Sequence, residues 1–180
     1  MDDTQRAPVP LTGEEEAFLR ALGRAMLTVP RAFDGDLLRE QRLSLSEYSA
    51  LRHLSEAPGR RLRMSELAGA GALSLSGVTR IVTRLEGRGL VQRERSSCDG
   101  RGWNAVLTDA GLHRLRQAWP THLASVRRHV FDHLNEVDVP AFATALQRFA
   151  ADTHCAEVER ERDPQTSPRP SLAAGPARRR

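Results

Sequence analysis

Between Leu73 and Leu90 the chain reads LSLSGVTRIVTRLEGRGL, and within it Ser74, Ser76, Gly77, Thr79, Arg80, Thr83 and Arg84 bring short hydroxyls and guanidinium groups to helical spacing. Val78, Ile81, Val82 and Leu85 fall on a different face of the same helix. An apolar stripe beside a polar one is the pattern of a helix docked on a core with one side free. Hydroxyls and helix N-terminal amides suit phosphate oxygens, and Arg80 or Arg84 can chelate guanine N7 and O6. The chemistry implied is recognition of a nucleic acid.

The flanking residues supply the parts such a helix needs. Met64 to about Ala70 reads as a short helix, with Ser65 or the residue before it at its cap, and Gly69 to Ala72 are small enough for a tight turn. A short helix, a turn and a reading helix make a helix-turn-helix, whose second helix enters the major groove N-terminal end first. Arg63, Ser65 and Arg88 border it as candidate contacts to the DNA backbone. After Gly89 the pattern becomes extended: Leu90 to Arg95 reads as a strand, SSCDGRG as a loop and Trp103 to Leu107 as a returning strand. Arg95, Asp99 and Arg101 lie at this hairpin's tip, where an Arg on a thin ribbon can enter a minor groove and Asp99 can orient it.

The charge distribution agrees with such a partner. Residues 52–101 carry ten Arg against five acids, net +5, while residues 1–51 are net −3 and 102–155 balance. A concentrated basic segment is the electrostatic footprint of a polyanion partner, although a charge run taken alone is more often a solvated face.

Long helices flank this lobe. Phe18, Leu22, Met26, Val29 and Phe33 recur at helical spacing behind Thr12 and the acidic turn Glu14 to Glu16, with Pro30 expected to kink or split the helix. Ser46 with Glu47 is expected to open a second helix carrying Tyr48, Leu51 and Leu54 and stopping at Pro58-Gly59. Thr108-Asp109 caps a helix striped by Leu112, Leu115, Trp119, Leu123, Val126, Val130 and Leu134, which Pro120 should bend or interrupt. A last helix runs from about Val139 to Val158. The fold class expected is mainly α (α+β): a winged helix-turn-helix lobe with a β-hairpin wing, plus N- and C-terminal helices forming a dimerisation lobe. The organisation expected is a disordered lead (1–10), an N-terminal dimerisation helix (11–45), the DNA-binding lobe (46–108), C-terminal dimerisation helices (109–160) and a disordered Arg/Pro-rich tail (161–180). With only two Trp, one Tyr and five Phe, a 180-residue monomer has few large core fillers, so the amphipathic arms are expected to meet a second copy.

The stretch from about Leu43 to Gly111 resembles the MarR family of winged-helix regulators. LSLSEYSALRHLSEAPGRRLRMSELA, then LSLSGVTRIVTRLEGRGLVQRE, then Asp99-x-Arg101 followed by Leu107, Thr108 and Gly111 carry the resemblance. It implies a homodimer reading a palindromic operator in double-stranded DNA, with Ser74 to Arg84 in the major groove and Arg101 in the minor groove. It also implies a repressor, relieved by a small aromatic or phenolic effector bound between the dimer helices and the DNA-binding lobe. Thr83 stands where many members carry an acid before the Arg, and Ser74 where some carry an Asp facing the wing. The partners of Arg84 and Arg101 are therefore left open. The rival from another class is a winged-helix protein-interaction module that has lost DNA binding.

Other signals rank lower. His122, His129 and His133 lie near one helix face, and a pair at i, i+4 can bind zinc, yet no Cys or carboxylate set converges on them. Ordinary interface or surface histidines are the stronger expectation, with metal sensing the lesser. Cys98 at the wing tip is a redox candidate by position, opposed by Asp99 and favoured by Arg95 and Arg101. No GxSxG, P-loop, strand-borne GxGxxG or HExxH occurs, so neither an enzyme nor a cofactor is expected. No apolar run approaches the roughly 20 residues a bilayer needs, and residues 1–10 lack the basic and apolar regions of a secretory signal. No membrane association and a bacterial cytoplasmic location are the corresponding expectations.

Overall fold

The computed structural model describes residues 9–95 and 102–149, and the chain divides into two compact units, 1–133 and 134–180. The first unit opens with helix α1, Gly13–Gln41, capped by Thr12 in a reciprocal pairing with Glu15. Pro30 does not split it: the helix is continuous through that position. Proline removes one backbone donor, but both flanks are secured, by the Thr12 cap upstream and by packing on a later helix downstream. Arg42 then takes a left-handed backbone, φ 47°, and closes the helix on the carbonyls of Leu37 and Leu38.

Helix α2, Leu45–Glu56, is capped by Ser44 rather than the expected Ser46. Only Ser44 stands three residues before Glu47. Its Oγ accepts from the Glu47 backbone at 3.1 Å and the Glu47 carboxylate accepts from the Ser44 backbone at 3.1 Å. A short 3-10 turn, Pro58–Arg60, leads into a strand absent from the sequence expectation, β1, Arg61–Arg63. Helix α3, Met64–Ala70, has Arg63 as its cap residue, so neither Ser65 nor Met64 fills that place. Helix α4, Leu75–Gly87, follows the turn through Gly71 and Ala72.

Strands β2, Val91–Arg95, and β3, Trp103–Leu107, form the expected hairpin, and β1 adds on the far side of β3 to give the antiparallel order β1-β3-β2. Ala105 pairs with Leu62 on one side and Arg93 on the other. Helix α5, Asp109–His129, is capped by Thr108 and passes through Pro120 unbroken. It stops short of the expected Leu134; a 3-10 turn, Phe131–His133, ends the unit. In the second unit a helix, α6, spans 139–149, its first turn capped by Asp138, whose carboxylate accepts from the Ala141 backbone at 3.1 Å. The expected extension of this helix to Val158 lies outside the described residues, as do residues 1–8 of the lead and the whole tail.

The core lies among α2, α3, α4 and the sheet. Leu51, Leu54, Val82, Leu85 and Ala105 are fully buried there, and Leu37, Leu115 and Ala118 carry it onto α1 and α5. Each such Leu or Val contributes about 1.5–3 kcal/mol. Much of the expected apolar stripe of the long helices is uncovered in the single chain: Phe18, Met26, Trp119 and Leu123 are exposed.

Candidate nucleic-acid interface

Helix α4 is fixed to the core by Val78, Ile81, Val82 and Leu85, all buried, which leaves Ser76, Thr79, Arg80, Thr83 and Arg84 exposed. Its first turn is tightly specified. Ser74 Oγ accepts from the Gly77 backbone at 3.1 Å and lies 3.1 Å from Ser76 Oγ; a Cβ on Gly77 would sit 3.2 Å from that same Ser74 Oγ. Gly77 is thus small because the cap occupies its space. Thr79 donates to the Leu75 carbonyl and Thr83 to the Thr79 carbonyl, both at 2.8 Å. Their hydroxyl protons are directed into the helix, so these residues offer acceptor oxygens and methyl groups outward rather than donors.

The arginines of α4 are not equivalent. Arg80 has no ion-pair partner among the described residues. Arg84, four residues on, donates through Nε to Glu47 Oε1 at 2.9 Å, and Arg88 Nη1 lies 3.5 Å from Glu47 Oε2. The Glu47 side chain is only 9 % exposed. Sequence reading missed Glu47. Its place three residues after Ser44 marks it as a cap, but nothing local shows a partner 37 residues away.

Much of the remaining basic charge near the sheet is also paired. Arg61 meets Glu94 at 2.7 Å, Arg60 meets Asp109 at 2.8 Å, and Arg93 Nε meets Glu86 at 2.8 Å. The Arg93 guanidinium holds the Glu86 carboxyl below its ordinary range. Arg95 stacks on the indole of its cross-strand neighbour Trp103, 5.7 Å from the ring, which fixes the arginine at the root of the hairpin loop. Asp99, Arg101 and Cys98 lie outside the described residues. Ser65 is exposed in the first turn of α3, and Arg63 sits where β1 meets that helix, its backbone donating to Glu66 at 2.8 Å.

The three histidines have separate surroundings. The His122 ring lies 4.5 Å from Tyr48 and edge-on to Phe33 at 5.7 Å; burial pushes its pKa down, with Arg52 adding to the effect. His129 Nε2 meets the Asp36 carboxylate at 3.1 Å. His133 is exposed in the terminal 3-10 turn. Among the described residues no group of three or more His, Cys, Asp or Glu side chains is arranged to hold a metal ion, and no helix is long and apolar enough to cross a membrane.

Asp36 is a second residue that sequence reading passed over. It is buried, accepts from Ser125 Oγ at 2.7 Å and also pairs with Arg39 and His129. The bond from Ser125 outweighs burial and holds its carboxyl below the usual range. With Gln41 donating to Thr121 at 2.8 Å, it ties the end of α1 to α5, the frame from which the winged lobe is held.

Comparison with known proteins gives one picture. The model of the MarR family matches residues 43–102. The structure is similar to AbsC, a MarR family transcriptional regulator from Streptomyces coelicolor: 36 % identity, 82 % of this chain and 99 % of that one, TM-score 0.74. It is similar in the same degree to Sco3205, a MarR family transcriptional regulator of that organism whose structure is in complex with DNA: 35 % identity, 82 % and 92 % coverage, TM-score 0.74. BpsR of Bordetella bronchiseptica, whose DNA binding is regulated by 6-hydroxynicotinic acid, shares the fold at 19 % identity, with 79 % and 98 % coverage and TM-score 0.66. Among curated proteins, none matches the sequence.

Proposed function

The chain belongs to the MarR family, and from that premise we propose that it is a cytoplasmic, homodimeric repressor that binds a palindromic operator with α4 in the major groove and the wing in the minor groove. The observation that carries this reading is α4 itself: a helix held by four buried apolar residues, with Ser76, Thr79, Arg80 and Thr83 left exposed on its other side. Rigid attachment is what a reading element needs, because base contacts demand fixed geometry. The DNA complex of Sco3205 supports the choice of partner.

Dimerisation is supported by the apolar residues the single chain leaves uncovered on its long helices, Phe18, Leu19, Met26 and Leu27 on α1 and Trp119 and Leu123 on α5. A second copy covering them sets the spacing of two α4 helices. Relief by a small aromatic or phenolic molecule belongs to the same proposal. Its support is the cluster of Tyr48, Phe33, Trp119 and His122 where α1, α2 and α5 meet, in which the Tyr48 hydroxyl and His122 Nδ1 are buried without a hydrogen-bond partner among the described residues.

The test is a mobility-shift titration of the promoter fragment beside the chain's own gene across a salt series. A steep loss of affinity from low to moderate salt and a large preference over scrambled duplex support the proposal. Absence of any duplex binding, with the dimer intact, favours the protein-interaction alternative.

A further inference from the structure

Resting on the DNA-reading role of α4, we propose that Glu47 is a positioning residue: it commits Arg84 and Arg88 to the protein, so that Arg80 is the guanidinium of α4 that reads base edges.

Glu47 lies on α2, and its carboxylate is almost wholly buried. Each oxygen has a partner on α4 or at its end, Oε1 the Arg84 Nε and Oε2 the Arg88 Nη1, while Oε2 also accepts from the Ser44 backbone. Removing Arg84 from this set to reach a base would leave a buried carboxylate with one long ion pair and one backbone bond. Buried charge stripped of its partner is strongly unfavourable, which holds Arg84 in place. The Nε of Arg84 is one of the donors on the edge that forks onto a two-acceptor target, and it is already taken.

Helix geometry separates the two arginines further. Residues four apart are turned by about 40° and displaced by about 6 Å along the axis. Val78, Ile81, Val82 and Leu85 define the buried side, so Arg80 lies opposite the core with Ser76 and Thr83, while Arg84 is rotated toward α2. Arg84 is also further from the N-terminal end that leads into the groove. Family resemblance left its partner open, because Thr83 and Ser74 are not acidic; the structure supplies one from a different helix.

A carboxylate that holds two guanidiniums also suppresses indiscriminate binding, since free arginines attach to any phosphate. Glu47→Gln, which keeps the size and the backbone cap but removes the charge, and Glu47→Ala are therefore compared with wild type in the full-length protein. Thermal melting is measured alongside affinity for operator and scrambled duplex over a salt series. Release of Arg84 and Arg88 should tighten scrambled binding, steepen its log-log salt slope by about one to two, and reduce operator preference at least severalfold. Lower melting with slope and preference unchanged would mean a merely structural role and overturns the proposal. If both Glu47 variants fail to fold, Arg84→Leu decides. Duplexes it selects from a random library should keep the wild-type base preferences, and a preference lost at one position of each half-site overturns the assignment. Failure of the wild-type protein to bind any duplex overturns the DNA-reading role itself, a result distinguishable from the others because it appears before any substitution.

Discussion

Gly111→Ala is the substitution whose cost the structure specifies most closely. A Cβ at Gly111 would lie 2.1 Å from the Leu90 carbonyl oxygen and 2.7 Å from Leu107 Cδ1. Ordinary contact is about 3.5–4.0 Å between carbons, so the first turn of α5 or the Leu90 backbone must move by roughly 1 Å. Neither moves freely. Leu90 donates to the Leu85 carbonyl at 2.9 Å and accepts from the Thr108 backbone at 3.2 Å. Thr108 Oγ1 donates to the Gly89 carbonyl at 2.8 Å while accepting from the Gly111 backbone at 3.0 Å. Overpacking costs about 1–3 kcal/mol and each strained bond about 1 kcal/mol, giving a loss of about 2–5 kcal/mol. At 2–4 °C per kcal/mol for a chain of this size, Tm should fall by roughly 4–20 °C. Gly35→Ala is the control: it is helical, with nothing within 4 Å of its Cβ, and should hold or gain about 0.5–1 kcal/mol. Calorimetric melting of both variants at one protein concentration decides. A Gly111→Ala protein melting within a degree of wild type would refute the packing argument that joins α5 to the turn after α4.

Two further perturbations read the frame behind the site. Asp36→Asn removes the carboxylate that Ser125, Arg39 and His129 share and should cost about 1–3 kcal/mol near neutrality by denaturant titration. Because the folded Asp36 carboxyl titrates below the ordinary aspartate value of 3.8, its contribution is complete above that pH and drains as pH falls through the lower folded value. The gap between wild type and variant should therefore narrow in acid, and a gap constant from pH 7 to pH 2 would contradict this. His122 runs in the same sense for a different reason: burial lowers its pKa from 6.5, so the neutral ring stabilises the fold above that value and protonation undermines it as pH falls. His122→Phe should flatten part of the decline in Tm between pH 7 and pH 5, and His53, which burial shifts in the same direction, adds to what remains. An undiminished decline would show that His122 is not the titrating group.

What could be read from the chain and what could not divides by distance along it. The apolar side of α4, the two hairpin strands and the Thr108 cap are each specified within a few residues, and each stands as expected. The cap of α2 is also local, but Ser46 reads as opening the helix, whereas the three-residue offset to Glu47 selects Ser44. Strand β1 had no local signal: three residues, Arg-Leu-Arg, become a strand because β3, some forty residues later, lies beside them. Pro30 is expected to kink or split its helix and Pro120 to bend or interrupt its own, yet both lie inside continuous helices. Arg84 with Glu47 and Asp36 with Ser125 are separated by 37 and 89 residues, so the partition of the arginines and the tie between α1 and α5 come only with the fold. The Phe18 and Met26 stripe is legible as apolar and is expected to need a second copy, and in the single chain both residues are exposed.

Sequencing the duplexes that wild-type protein and Arg80→Ala retain from a random library tests the central claim most directly. Wild type should enrich a palindrome with half-sites about 34–36 Å apart, centre to centre, or a multiple of that. Arg80→Ala should lose discrimination worth about 1–3 kcal/mol at one base pair in each half-site while keeping the spacing. No enrichment by the wild type, or the same base preferences from both proteins, would contradict the account of α4 as a reading helix with Arg80 at its centre.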